Sequence, residues 1–195
     1  MTPLASWRPA LARALHLNRA LANARYFQLA TVRADGRPAN RTVVFRGFRL
    51  DTNQLMIISD RRAQKIAQLQ QSPWAEICWY FPKTREQFRL SGRLSRIDQG
   101  NAELQHSDYC DFCQVWEKLS ASAREQFYWP PPGQPHHESE SPLAPPTDQE
   151  QPAENFTLLL FDPIEVDHLD LRSHPHVRHR YGCEAGQWSV EKLNP

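Results

Sequence analysis

The chain has 195 residues, 40% hydrophobic and 23% charged, with a formal net charge of +1. That length allows a single domain with its own core, and the near-zero charge excludes a general nucleic-acid binder, which would carry a basic excess. No apolar run approaches membrane-spanning length, and the opening residues, interrupted by Arg and His, form no secretory signal, so a cytoplasmic protein with no membrane partner is expected.

In chain order, Trp7, Leu11, Leu15 and Leu21 recur at turn spacing and predict a helix over 7–24. "YFQLATV" (26–32) reads as a strand, Asp35-Gly36 as a hairpin turn, and 39–50 as the returning strand. After a turn at 51–54 comes the strand "LMIIS" (55–59), then a helix over 61–71 that Asp60 could cap. "WAEICWYF" (74–81) and "EQFRLSGRLSRI" (86–97) are two further strands, and 101–127 is a polar helical stretch.

Residues 129–154 are rich in Pro, Glu, Ser and Gln with little to bury, and predict a long surface loop or partly disordered insertion. β structure resumes over 155–171, and "QWSVEKL" (187–193) supplies a last strand. Strands joined by hairpins dominate, which favours a mainly β chain: one antiparallel β-barrel domain over 1–195 with flanking helices. No G-x-G-x-x-G or Walker loop is present.

Cys110 and Cys113 form a C-x-x-C, but Cys78 and Cys183 are isolated, so a four-cysteine zinc site has no second pair. His174, His176 and His179 lack a carboxylate at fixed spacing, and no metal is expected. Arg41 and Arg46 flank the apolar run Val43, Val44 and Phe45. They are either solvated or ion-paired strand ends, or part of an anion site. "SDRRAQK" adds Ser59, Arg61, Arg62, Gln64 and Lys65 at a strand-to-helix junction. Helix N-termini favour anions and disfavour basic residues, so cations gathered there point toward a bound phosphate.

The order of these pieces resembles the pyridoxamine 5'-phosphate oxidase family, and within it the FMN-binding, oxidase-like branch. The resemblance rests on "RTVVFR" (41–46), "IS" (58–59), "SDRRAQK" (59–65), "REQFRLSG" (85–92), "WEKLS", "FYWPPPG" and the closing "QWSVEKLNP". It covers about 10–128 and 155–195, leaving the proline-rich insertion outside. It implies a split β-barrel that binds FMN at the interface of a homodimer. Arg41 and Lys65 would hold the FMN phosphate, with Arg62 or Gln64 adding donors and Ser59 nearby. Thr42, Val43, Val44 and Ile58 would run along the flavin, Gln87 would approach it from the partner subunit, and Arg180 would reach it from the C-terminal segment. Ser120 or Lys118 is a further candidate.

Arg46 stands where the family has a lysine that contacts substrate phosphate. Other features depart from the oxidase pattern. The stretch around Tyr109 has no arginine run, Ala63 replaces a serine, and no flavin-stacking Trp lies near Leu169 and Asp170. His176 and Arg178 occupy exchanged positions and are weaker substrate candidates. No catalytic acid or base is assigned. Three functions stay open: oxidation of pyridoxamine or pyridoxine 5'-phosphate, FMN-dependent redox chemistry on another small molecule, or a flavin-binding module without turnover.

Overall fold

The computed structural model describes residues 4–99, 105–135 and 150–195; most of the proline-rich insertion, 136–149, lies outside them. Helix α1 (Arg8–Asn18) is followed by strands β1 (Tyr26–Val32), β2 (Pro38–Val44), β3 (Gly47–Phe48) and β4 (Leu55–Asp60). Then come helix α2 (Gln64–Gln71), strands β5 (Trp74–Phe81) and β6 (Glu86–Asp98), and helices α3 (His106–Glu117) and α4 (Ala121–Glu125). Strands β7 (Phe156–Asp170), β8 (Val177–Glu184) and β9 (Gln187–Leu193) complete the order.

All these strands join one antiparallel sheet in the order β2-β1-β5-β6-β7-β4-β3, with β8 and β9 added beside β7. The split lies along β7. Its first part, from Phe156 to Phe161, pairs with β4, and its second, from Glu165 to Asp170, pairs with β8. Beside it β6 spans both parts, with a bulge at Ser91/Gly92. Gly92 allows close approach there, because a Cβ would sit 2.2 Å from the Asp162 carbonyl oxygen.

Two cores explain the apolar run "FTLLLF" at the start of β7. Leu159 and Phe161 enter the main core with Phe27, Trp79, Phe88 and Trp7, while Phe156, Leu158 and Leu160 enter a second core. The second core is closed by Phe112, Val115, Trp116 and Phe127 from the α3–α4 region. A strand buried on both faces loses its polar alternation.

The structure corrects several predicted boundaries. The first helix stops at Asn18, whose buried side chain donates to the Ala14 carbonyl and accepts from the Lys83 amide, fixing the β5–β6 turn. The strand expected over 39–50 breaks at Phe45: Arg46 N–H donates to the Met56 carbonyl, and Gly47 takes φ 136°. Helix α2 begins at Gln64 with Ala63 as its N-cap, so Asp60 does not cap it. The polar stretch divides into α3 and α4, with Ser120 capping α4 by accepting from Ala123 N–H. Strand β8, not anticipated, forms in a polar segment because it pairs on both sides.

Candidate functional site

Breaking the long strand at Phe45 has a consequence for the site. The chain passes from β2 directly to β3 and β4, at opposite ends of the sheet order, and so draws those ends together. Between them opens a cavity of about 260 Å³ lined by Val44, Arg46, Ile58, Ser59, Asp60, Ala63 and Lys65, with Gln126, Phe127 and Pro132 opposite. Val44, Ile58, Phe127 and Pro132 give apolar walls, and the polar groups cluster where β4 meets α2.

The charges there are unbalanced. Lys65 Nζ donates to Ser59 Oγ at 2.8 Å. Arg46 Nε is buried and has no hydrogen-bond partner among the described residues. Arg41 is outside the lining: its Nη1 donates to Thr31 Oγ1 at 2.5 Å and to the Leu29 carbonyl, and its Nη2 to Gln68 Oε1 at 3.1 Å. Among the described residues none of these three cations forms an ion pair. Burial is the main cause that holds Lys65 below the usual lysine range; the charge of Arg41 adds to it, and Asp60 opposes it. Burial also lowers Arg41 and Arg46, helped by Arg33 and Arg25 respectively. The first turn of α2 has no acidic residue, so its dipole adds positive potential. Cations partly removed from water without a counter-charge make a site for an anion.

A larger groove of about 690 Å³ opens elsewhere, among Asp51, Gln54, Asp111, Asp162 and Trp188. Its arginine, Arg49, is held by Asp108 and Asp111, so it gathers carboxylates where the smaller cavity gathers cations. The smaller cavity is therefore the candidate.

A family model described as the FMN-binding domain of pyridoxamine 5'-phosphate oxidase matches residues 4–98. The pyridoxine/pyridoxamine 5'-phosphate oxidase 2 of Arabidopsis thaliana is 36% identical over all of this chain and 99% of its own length. The chain belongs to the pyridoxamine 5'-phosphate oxidase family.

A crystal structure of a pyridoxamine 5'-phosphate oxidase-related, FMN-binding protein from Nostoc punctiforme PCC 73102 is 51% identical, with a TM-score of 0.89 over 98% of this chain and 99% of that one. PhzG of Burkholderia lata 383, in complex with tetrahydrophenazine-1-carboxylic acid, superposes with a TM-score of 0.74 over 96% of this chain and 90% of that one. At 18% identity it shares the fold alone.

The residues expected from the family resemblance separate into groups. Val44, Arg46, Ile58, Ser59 and Lys65 share the cavity; Arg41 does not line it, and its charge acts on Lys65. Thr42 is exposed, and Val43 packs against the main core. Arg62 is tied to Asp60 at 2.6 Å, and Gln64 faces a shallow groove with Arg33 and Asp35. Gln87, Arg178 and Arg180 share the other, outer face of the sheet, where register sets Gln87 beside Leu169 and Arg178, and Arg180 beside Asp167. Arg178 holds Asp167 at 2.6 Å, and Arg180 pairs with Glu191 at 2.8 Å. His176 is exposed and contacts the Ser173 carbonyl. Among the described residues no His, Cys, Asp and Glu group is arranged for a metal, and no helix is long and apolar enough to cross a membrane.

The residues of the single chain fit the family's cofactor at two points: donors without a counter-anion suit a phosphate, and the apolar walls suit a flat ring. Sequence reading missed Thr31 and Gln68, which hold Arg41, and Phe127 and Pro132, which face the cavity. Gln68 carried a signal, since it lies one helical turn after Lys65. Thr31 carried none, because its role depends on the β1–β2 pairing.

Proposed function

We propose that the chain is an FMN-dependent oxidoreductase of the pyridoxamine 5'-phosphate oxidase type, acting as a cytoplasmic homodimer built from one split-barrel domain per subunit. The observation that carries this reading is the pair Arg46 and Lys65, partly buried in one cavity without an ion-pair partner among the described residues, with Arg41 near enough to Lys65 to act on its charge. Lys65, Ser59 and the α2 N-terminus would take the FMN phosphate, with Arg41 behind them. Val44 and Ile58 would flank the ring, and Phe127 and Pro132 would exclude water. FMN, when bound, supplies hydride acceptance at its flavin N5, with oxygen as the subsequent acceptor. Arg46 would orient an anionic small substrate toward the ring.

A second subunit is part of the proposal for a physical reason. Small-molecule sites usually span about 300–1,000 Å³, and the 260 Å³ cavity encloses less than a whole flavin nucleotide requires. Gln87 and Arg180 lie on an outer sheet face that also exposes Trp74 and Tyr80. A second copy on that face would bring its Gln87 and Arg180 to the neighbouring cavity. The four cysteines are free thiols, in keeping with a reducing compartment.

A second reading, turnover of a different small molecule, is favoured by the substrate side. Tyr109 is exposed, its helix carries no arginine, and Arg46 replaces a point charge with a planar fork. Flavin absorbance of the purified protein, followed by peroxide release from pyridoxamine 5'-phosphate, tests both. Flavin bound with peroxide formed supports the first reading. Flavin bound without turnover eliminates that substrate, and absence of flavin binding removes both.

A further inference from the structure

Among the described residues Asp60 is the one carboxylate lining the cation-rich cavity, and Arg62 holds both of its oxygens. Its Oδ1 accepts from the Arg62 backbone N–H at 2.7 Å and from Nε at 3.0 Å, and its Oδ2 accepts from Nη2 at 2.6 Å. The same Nη2 donates to the Trp129 carbonyl at 2.9 Å, three residues before Pro132 in the opposite wall. These bonds occupy Nε and both Nη2 hydrogens of the guanidinium, the edge that would otherwise grip a phosphate bidentately, and leave only Nη1 outside them. An uncompensated carboxylate here would act on Lys65, whose titration already responds to Asp60.

We infer that Arg62 is a positioning residue and not a phosphate ligand: it neutralises Asp60 at the anion corner and pins the Trp129–Pro132 segment across the cavity. The inference rests on the FMN reading above and adds a specific division of labour among the basic residues. Lys65 faces the anion, whereas Arg62 removes the negative charge that would repel it. A carboxylate left unpaired beside a phosphate dianion is a repulsive element.

The test is a double-mutant cycle read by quenching of flavin fluorescence, with FMN and riboflavin titrated into cofactor-free protein. Arg62→Ala weakens FMN by at least about tenfold through like-charge repulsion. Asp60→Asn alone leaves FMN affinity equal or tighter, and the double variant D60N/R62A recovers most of the loss. Riboflavin, which lacks the phosphate, loses only what the pinned Trp129–Pro132 segment contributes, so Arg62→Ala weakens it clearly less than it weakens FMN. If the double variant stays as weak as Arg62→Ala, or riboflavin affinity falls in parallel, Arg62 acts by direct contact or only by holding the loop, and the inference is overturned. Loss of FMN affinity in Lys65→Ala with no rescue in the Asp60/Arg62 cycle would overturn this inference and leave the FMN reading standing. Failure of the wild-type chain to bind FMN would overturn both.

Discussion

Lys65 and Ser59 are joined by a 2.8 Å hydrogen bond that links the first turn of α2 to the end of β4. The bond fixes an ammonium group at a helix N-terminus, where the dipole disfavours it, and burial adds to the cost of its charge. Such a group gains most from a bound anion. In the free protein burial first and the charge of Arg41 second hold its pKa below the usual lysine range, with Asp60 opposing. As pH rises through that lowered value, Lys65 becomes neutral and binding must take up a proton. FMN affinity is therefore expected to fall at a lower pH than the one at which an ordinary lysine loses its proton. Lys65→Arg should move the fall to higher pH, and Lys65→Ala should abolish it. Titrations across pH check this; an unchanged profile in Lys65→Ala rejects it.

Arg41 reaches the corner through two neighbours. Replacing it by Ala removes a charge-assisted contact, worth about 1.5–3 kcal/mol, and should weaken FMN about ten- to a hundredfold. Thr31→Val keeps the side-chain shape but removes the hydroxyl that accepts from Nη1. It should cost about threefold to tenfold, the range of one ordinary hydrogen bond. Equilibrium titration ranks the two variants, and equal affinity for wild type and Arg41→Ala would remove Arg41 from the site.

The outer sheet face gives a prediction about assembly. Tyr80→Glu places a charge beside Gln87 on the face assigned to the second subunit. Sedimentation should show a shift toward monomer, and FMN affinity should fall with it, because Gln87 and Arg180 would leave the neighbouring cavity. A monomeric variant with full affinity would show that one chain completes the site alone.

On the same face, burial would raise Asp167, but the hydrogen bond and charge of Arg178, followed by Arg89, outweigh it and hold the carboxyl below the usual aspartate range. Since the folded-state pKa is depressed, the stabilisation is present above the ordinary aspartate pKa and is lost as pH falls through the lowered value. Asp167→Asn should thus lower the melting temperature at neutral pH and reduce its dependence on acid. Thermal melts over a pH series measure both.

At the bulge, Gly92→Ala would drive a methyl group to 2.2 Å from the Asp162 carbonyl oxygen. Backbone must move on both strands, and the cost should reach the upper range for overpacking, about 3 kcal/mol. Denaturant unfolding of the variant would show it.

Much of the fold was legible in the sequence. Short apolar and aromatic runs bounded by turn residues mark β1, β4 and β5, the apolar run FTLLLF marks β7, and the chain's motif order points to the family. These signals are local, set by which face of a strand is buried. Tertiary structure alone decided three things. It broke the strand at Phe45 so that opposite sheet ends meet, added β8 in a polar segment by pairing it on both sides, and turned Arg62 toward Asp60 and Trp129. The sequence could gather basic residues at the β4–α2 junction, but it could not assign their roles. Whether a cation faces a ligand or a neighbouring carboxylate depends on distances between segments far apart in the chain, and those distances exist only once the sheet has curled.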